Sequence, residues 1–256
     1  MGGTSVYQRQ KNTDELKRRR FMDFEFIASM LPAMIPAVKN TLIITFFSAF
    51  FGWIFGIVIA LIRINKIKGL SRLFAVYVSF MRSVPLVIIM FFIYYAIPTF
   101  IAYYRFEHGL SVASVAGNKS IIYPIIAMSI SEAAFASETF RSSLLAIPHD
   151  QLESAKSIGM TTLQACFRII FPQAFVIALP NMGGLFIGLI KNSTLAYYSG
   201  VVEITGMAYT LASPSYQFLE AFFLIAVIYE TLSFVFSKLF RRFEQKMSKY
   251  KKGIVL

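Results

Sequence analysis

The sequence predicts an all-α, polytopic membrane protein, and three observations carry this prediction. Hydrophobic residues make up 57% of the 256 residues and charged residues only 15%, against about 45–50% and about 25% in soluble domains. Five segments are apolar over the roughly 20 residues that a helix needs to cross a bilayer. Basic residues lie mostly between or beside these segments, where they fix the orientation of a membrane protein.

The five predicted transmembrane helices cover, in chain order, residues 40–62, 83–104, 121–147, 171–190 and 216–239. The segment before them, residues 24–38, is apolar but contains Pro32 and Pro36, and its roughly 15 residues are too few to cross a bilayer. We therefore expect an N-terminal interfacial helix that leads into the first span. The predicted domains are an N-terminal tail with this helix (1–39), a transmembrane domain (40–240) and a basic tail (241–256).

The distribution of Lys and Arg predicts the orientation of the chain. With five spans the two termini lie on opposite sides, and a cytoplasmic C-terminus leaves fifteen basic residues inside against nine outside. The rule that cytoplasmic segments are the more basic ones therefore favours a cytoplasmic C-terminus. The basic run at residues 17–20 opposes this orientation, because it would have to be moved across the membrane.

The third and fourth predicted spans are joined by a polar double turn. Asp150 is followed three residues later by Glu153, and Thr161 by Gln164; both spacings match capping boxes, which begin helices. Gly159 lies between them, where a helix C-terminus needs a residue that tolerates positive φ. We predict a short helix, a glycine turn and a second short helix, an arrangement that presents a polar helix pair to another protein.

Residues in and around this turn form an ordered set with defined spacings: Glu153-Ser154-Ala155, Gly159, Phe171-Pro172-Gln173-Ala174 and Ala178-Leu179-Pro180. The set resembles the EAA loop of permease subunits in bacterial ABC importers, with Ser154 in place of the middle alanine. Further residues are similar to the polar amino-acid branch of that family: Arg82 with Pro85, residues 91–95, Glu138 with Arg141, Pro148, Gln151 and residues 191–195. The resemblance covers roughly residues 25–240.

This resemblance implies a transmembrane permease subunit of a type I, ATP-driven ABC importer that moves polar amino acids into the cell by alternating access. The implied partners are ABC ATPase subunits, a second permease subunit (identical or a sister chain), an extracytoplasmic substrate-binding protein and the lipid bilayer of the bacterial cytoplasmic membrane. The EAA-like loop, residues 148–174, would be the cytoplasmic coupling-helix loop. Its implied ATPase-coupling residues are Asp150, Glu153, Ser154, Ala155 and Gly159.

Neither a cofactor nor a metal is expected in this chain. The sequence contains no GxxxxGK[ST] loop, so ATP and magnesium would be bound by the partner ATPase. One cysteine, Cys166, and two distant histidines do not provide a metal site. An alternative function is an autonomous membrane scaffold or enzyme, but the sequence offers no set of nucleophile and base to support it.

Ionisable residues within membrane spans are functional-site candidates, because a charge in hydrocarbon is costly. Glu132 lies near the middle of the third span, where it could bind the cationic group of a substrate or form a structural hydrogen bond to a neighbouring helix. Glu138 and Arg141 are one helical turn apart and predict a gating or structural ion pair. Glu230 in the fifth span has no evident partner in the sequence.

The end of the fourth span carries donors for a substrate carboxylate. Lys191, Asn192 and Ser193 follow one another there, and we predict them, with Glu132, as substrate-binding residues. The alternative for Lys191 is a side chain that extends to the membrane surface without binding substrate. The sequence leaves the substrate open between cationic amino acids and cystine-like compounds.

Overall fold

The structure, a computed structural model, describes residues 22–111, 121–148 and 150–252. All regular structure within these ranges is helical, which confirms the predicted fold class. The basic run at residues 17–20 and most of the predicted loop after the second span lie outside the described residues.

Nine α-helices follow one another in the described chain: α1 Phe24–Ile64, α2 Leu70–Ser83, α3 Leu86–Glu107, α4 Ile122–Leu145, α5 Asp150–Ser157, α6 Thr162–Ala165, α7 Phe171–Asn192, α8 Ile204–Ala212 and α9 Phe218–Lys252. A π-helical turn, Cys166–Ile170, joins α6 to α7, and a 3₁₀ helix, Ser193–Ser199, follows α7.

Four helical segments of the described chain are long and apolar enough to cross a membrane: α1, α3, the segment Thr162–Ser199 that contains α7, and α9. The predicted third span corresponds to α4, whose 24 residues reach roughly 36 Å. Its two glutamates, its arginine and its serines lower its hydropathy, and it is not among the four. The count of five transmembrane helices therefore stays a prediction.

Helix α1 runs for 41 residues through Pro32 and Pro36 without a break. The boundary predicted between an interfacial helix and the first span is therefore absent. Asp23 caps the helix by accepting the N–H groups of Glu25 and Phe26, each at 3.0 Å, and the N–H of Phe26 is the main cause that lowers the pKa of the Asp23 carboxyl. Although each proline removes one backbone hydrogen bond, this part of α1 is held by packing against α8 and α9.

The core of the bundle lies where α1 crosses α4, the most extensive contact between two described helices. Gly52 and Gly56 permit this close approach. A Cβ atom on Gly52 would lie 2.7 Å from Cγ of Glu132, and one on Gly56 would lie 2.8 Å from Cβ of Ala136. Small residues four positions apart thus bring two helix backbones together, and they place Glu132 directly against α1.

Candidate functional site

The polar turn between α4 and α7 folds as the sequence predicts. Gly159 has φ +85°, and the N–H groups of Gly159 and Met160 bond to the carbonyls of Lys156 and Ala155 at 2.9 and 3.1 Å. These two bonds form a Schellman motif, which ends α5. The capping box of α6 is confirmed, since Thr161 and Gln164 exchange hydrogen bonds of 3.0 and 3.3 Å.

The predicted cap at Asp150 differs in detail, because α5 begins at Asp150 itself and the residue therefore stands in the first helical turn. Four of the predicted coupling residues are exposed on this turn, while the fifth is buried: the exposed ones are Asp150, Glu153, Ser154 and Gly159, and the buried one is Ala155. The helix pair thus presents polar groups outward and is anchored by its alanine.

Two apolar residues that the sequence analysis did not single out are exposed beside these polar groups. Ile158 is 75% exposed and Leu163 69% exposed, at the tip of the turn. Exposed apolar groups rimmed by polar ones are typical of protein-binding surfaces. On the inner side the Gln173 amide donates to Oε1 of Gln151 at 2.5 Å, so the first turns of α5 and α7 are joined.

The ion pair predicted between Glu138 and Arg141 is present and has a third member. Arg141 donates from Nε and Nη2 to Oε2 of Glu138 at 3.0 and 2.8 Å. Arg63, in the last turn of α1, binds the other carboxylate oxygen. The sequence offered no signal for Arg63, which lies 75 residues from Glu138. Glu138 thus pairs with Arg141 inside α4 and with Arg63 across to α1, and the charge-assisted contact with Arg63 joins the two helices.

Glu132 is 4% exposed in this protomer. Its Oε1 accepts a hydrogen bond of 3.0 Å from Nε1 of Trp53 on α1. The structural alternative for Glu132, a hydrogen bond to a neighbouring helix, thus has a specific partner in Trp53. Gly52 packs against the Cβ and Cγ atoms of Glu132, so the Glu132 side chain is enclosed at the crossing of α1 and α4.

The three residues at the end of α7 do not share one environment. Lys191 and Asn192 are exposed, whereas Ser193 is fully buried. The Ser193 hydroxyl donates to the carbonyl of Ile190 at 2.7 Å. The structure therefore leaves Lys191 and Asn192 open to a ligand and engages the Ser193 hydroxyl within the bundle.

A buried polar cluster follows directly in the chain, and the sequence analysis missed it. We call it the Glu203 cluster; its members are Ser193, Thr194, Glu203, Thr205 and Tyr229. Glu203 is fully buried and caps α8, accepting the N–H groups of Thr205 and Gly206 at 3.0 and 2.9 Å. The Tyr229 hydroxyl on α9 donates to Oε2 of Glu203 at 2.9 Å. The position of Glu203 just before the apolar run 204–212 could have predicted the start of α8, because acidic residues often cap helices.

The described chain is thus a helical bundle with several helices apolar enough to cross a membrane, and it presents an exposed, capped helix pair between α4 and α7. The chain belongs to the family described as binding-protein-dependent transport system inner membrane component, which matches residues 52–249. Members of this family are permease subunits of ABC importers and not enzymes, since a separate subunit hydrolyses ATP. The alternative of an autonomous enzyme or scaffold is therefore set aside.

Curated relatives match over 80–97% of their own length. The probable amino-acid permease protein YxeN of Bacillus subtilis (strain 168) is 36% identical over 228 residues, covering 89% of this chain and 97% of that one. The probable amino-acid ABC transporter permease protein PatM of Vibrio harveyi is 33% identical, covering 81% and 88%. The L-cystine transport system permease protein TcyL of Bacillus subtilis (strain 168) is 32% identical, covering 77% and 80%.

Solved structures share the fold. The membrane chain in the crystal structure of an amino acid ABC transporter with histidines is 28% identical, with a TM-score of 0.74 over 89% of this chain and 100% of that one. The inward-facing MetNI methionine ABC transporter is 20% identical, with a TM-score of 0.66 over 86% and 98%, and this likeness concerns the fold alone.

Proposed function

We propose that this chain is the permease subunit of an importer for polar amino acids. The observation that carries the proposal is the exposed, doubly capped helix pair α5–α6, which leads directly into the apolar helix α7. The amino-acid substrate is supported by the relatives, whose names give amino acids or L-cystine as the transported compounds. The complete transporter contains a second permease subunit, two ATPase subunits and an extracytoplasmic binding protein.

In this proposal α5 and α6 dock into the ATPase. Asp150, Glu153 and Ser154 supply the polar contacts, Gly159 sets the turn, and Ala155 holds α5 against the bundle. When the ATPase subunits close on ATP, the helix pair moves with them. The hydrogen bond between Gln151 and Gln173 passes this movement to α7.

The substrate path lies between the two permease subunits in this proposal. Lys191 and Asn192 bind the substrate carboxylate, and Glu132 binds its cationic group once α1 and α4 separate. Ser193 is included in the same site because it directly follows Lys191 and Asn192 in the chain. The cluster of Glu138, Arg141 and Arg63 acts as a gate at the cytoplasmic end, and the tail that follows α9 is cytoplasmic.

The test is transport by the reconstituted complex. The chain is placed in liposomes with its partner permease and ATPase, and the binding protein is added outside. We expect ATP inside the vesicles to drive uptake of at least one of L-arginine, L-cystine and L-glutamine, and we expect substrate-loaded binding protein to stimulate ATP hydrolysis. A complex that assembles but transports none of the three with ATP would contradict the proposed substrate class.

A further inference from the structure

The Glu203 cluster lies next to the exposed residues Lys191 and Asn192. The chain passes from Asn192, which is exposed, to Ser193, which is fully buried, within one peptide unit. The direction of the last turn of α7 is therefore fixed by how Ser193 and Thr194 are held. Any group that holds these two residues also sets the position of Lys191 and Asn192.

Hydrogen bonds anchor this point to two other helices. The hydroxyls of Thr194 and Thr205 lie 2.6 Å apart, which joins the 3₁₀ helix to the first turn of α8. The Tyr229 hydroxyl on α9 lies 3.4 Å from that of Thr205, which can donate to it. It also lies 3.5 Å from the Ser193 hydroxyl, whose own proton goes to the carbonyl of Ile190. Tyr229 therefore stands at the centre of the cluster, and its own proton goes to Glu203 at 2.9 Å.

A glutamate is an unusual choice for the cap of α8. Helix caps are most often Asp, Asn, Ser or Thr, whose shorter side chains reach the first N–H groups more easily. The longer side chain of Glu203 uses both oxygens here: Oε1 accepts the N–H of Gly206, and Oε2 accepts the N–H of Thr205 and the Tyr229 hydroxyl. The extra methylene thus lets one carboxylate cap α8 and also hold α9.

Helix α7 connects this cluster to the coupling loop. It has 22 residues, or about 33 Å, with the contact between Gln151 and Gln173 near its first turn and Ser193 just after its last. If the first turn of α7 is displaced, its last turn moves relative to α8 and α9 unless hydrogen bonds join the end of α7 to these two helices. The bond between Tyr229 and Glu203, at 2.9 Å, is the shorter of the two contacts that the Tyr229 hydroxyl makes with residues at the start of α8.

We infer that Glu203 is a positioning residue, which through Tyr229 holds Lys191 and Asn192 in the orientation that binds substrate. The inference rests on the proposed function, since it assigns a role in the same transmembrane site. Glu203 itself does not contact the substrate, because its carboxylate is fully buried and occupied by three donors.

The test separates the cap from the contact with Tyr229. Glu203→Asp keeps a good cap for α8 but is one methylene too short to reach Tyr229, while Tyr229→Phe removes only the hydroxyl. Tyr209→Phe is the matched control, because the Tyr209 ring stacks on Tyr197 with centroids 4.9 Å apart and no hydrogen bond of its hydroxyl is found in the described part of the chain.

The first readout needs no substrate. A spin label is attached to Asn192→Cys in a Cys166→Ser background of the complete transporter. We expect Glu203→Asp and Tyr229→Phe each to shorten the rotational correlation time of the label about threefold, and Tyr209→Phe to leave it unchanged. Equal label mobility in all three variants would overturn the inference, whatever the transporter carries.

The second readout is substrate affinity at the transmembrane site, measured by equilibrium dialysis of radiolabelled L-arginine, L-cystine and L-glutamine against the permease–ATPase complex in nanodiscs. We expect each single variant to raise Kd about tenfold, in line with the loss of a hydrogen bond to a charged group. The double variant should also raise Kd about tenfold, because both changes remove the same bond. Basal ATP hydrolysis should stay within twofold of the wild type.

A hundredfold increase in the double variant would show two independent roles and would overturn the inference, as would affinities within twofold of the control. A wild-type complex that binds none of the three compounds would contradict the proposed substrate class instead, and the mobility of the label would then decide the inference alone.

Discussion

At the scale of single residues, Glu132 decides between a substrate role and a structural one. Its carboxylate is almost fully buried and bonded to Trp53, and an ionisable group inside a membrane bundle is costly unless it is paired or used. The two roles are abolished by different substitutions. A structural role depends on the Trp53 bond, whereas a substrate role depends on the charge.

We expect Glu132→Gln to weaken substrate binding at the transmembrane site about ten- to hundredfold, because a hydrogen bond to a charged group contributes about 1.5–3 kcal/mol. Equilibrium dialysis against the permease–ATPase complex measures this loss, while the affinity of the separate binding protein stays constant. Trp53→Phe is the control, since it removes the internal hydrogen bond and keeps the charge. If Trp53→Phe weakened substrate binding as much as Glu132→Gln, the role of Glu132 would be structural.

The close crossing of α1 and α4 leads to a prediction about the thermal stability of a Gly52 variant. In Gly52→Ala the new methyl group would lie 2.7 Å from Cγ of Glu132, so the helices must move apart, at a cost of about 1–3 kcal/mol. We expect a lower thermal unfolding temperature of the detergent-solubilised chain. Gly188→Ala is the matched control, because nothing lies within 4 Å of its added methyl. Equal unfolding temperatures for the two variants would contradict this account of the crossing.

At the scale of elements, the coupling loop depends on Gly159. Its φ of +85° is one that other residues adopt with strain, and an aspartate would add charge at the exposed tip. We expect Gly159→Asp to release the ATPase or to uncouple ATP hydrolysis from uptake. Co-purification of the ATPase and the ratio of uptake to hydrolysis measure these effects, with the chain still present in the membrane.

Gly69→Asp separates this effect from backbone strain. Gly69 also has a positive φ, of +80°, and also has nothing within 4 Å of an added Cβ atom, but it lies in the turn before α2. We expect the Gly69 variant to retain ATPase binding and coupling. Uptake by Gly159→Asp at the level of the Gly69 variant would refute the assignment of α5–α6 as the ATPase contact.

The elements that the sequence predicts well are those defined by local chemistry. The capping box at Thr161 and the turn at Gly159 are each formed by residues within a few positions of one another, so spacing alone reveals them. Segments of 20 apolar residues are equally local. Residues 24–38 are helical, as predicted, but local spacing did not show that the helix continues unbroken into the first span, because packing against α8 and α9 holds it past two prolines.

The candidate site was less predictable, because its contacts join distant parts of the chain. Trp53 and Glu132 are 79 residues apart, Arg63 and Glu138 are 75 apart, and Glu203 and Tyr229 are 26 apart. Sequence reasoning identified one member of each of the first two contacts, Glu132 and Glu138, and neither member of the third. The sequence reasoning predicts no element between Ser193 and the fifth span, whereas the 3₁₀ helix and α8 there are packed in the bundle.

At the scale of the whole molecule, the protomer exposes a large apolar surface. Helix α3 is largely exposed along its length, and side chains such as Phe92 and Phe100 are about 70% exposed. A soluble monomer rarely exposes patches of this kind. The surface therefore requires lipid or another membrane subunit around it, in agreement with a permease family whose members work in complexes.

The orientation of the molecule is tested by labelling two exposed residues at opposite ends. The excess of basic residues, fifteen against nine, predicts that the C-terminal tail is cytoplasmic and that the loop after α3 is outside. Cysteines replace Ser111 and Lys246, both exposed, in a Cys166→Ser background, which removes the single native thiol. A membrane-impermeant maleimide should label Ser111→Cys in intact cells and Lys246→Cys only after permeabilisation. In the predicted five-span topology, the loop with α5 and α6 lies on the same side as the C-terminal tail, because the fourth and fifth spans cross the membrane in opposite directions. Labelling of Lys246→Cys from outside would therefore reverse the orientation and would also remove α5–α6 from the reach of a cytoplasmic ATPase.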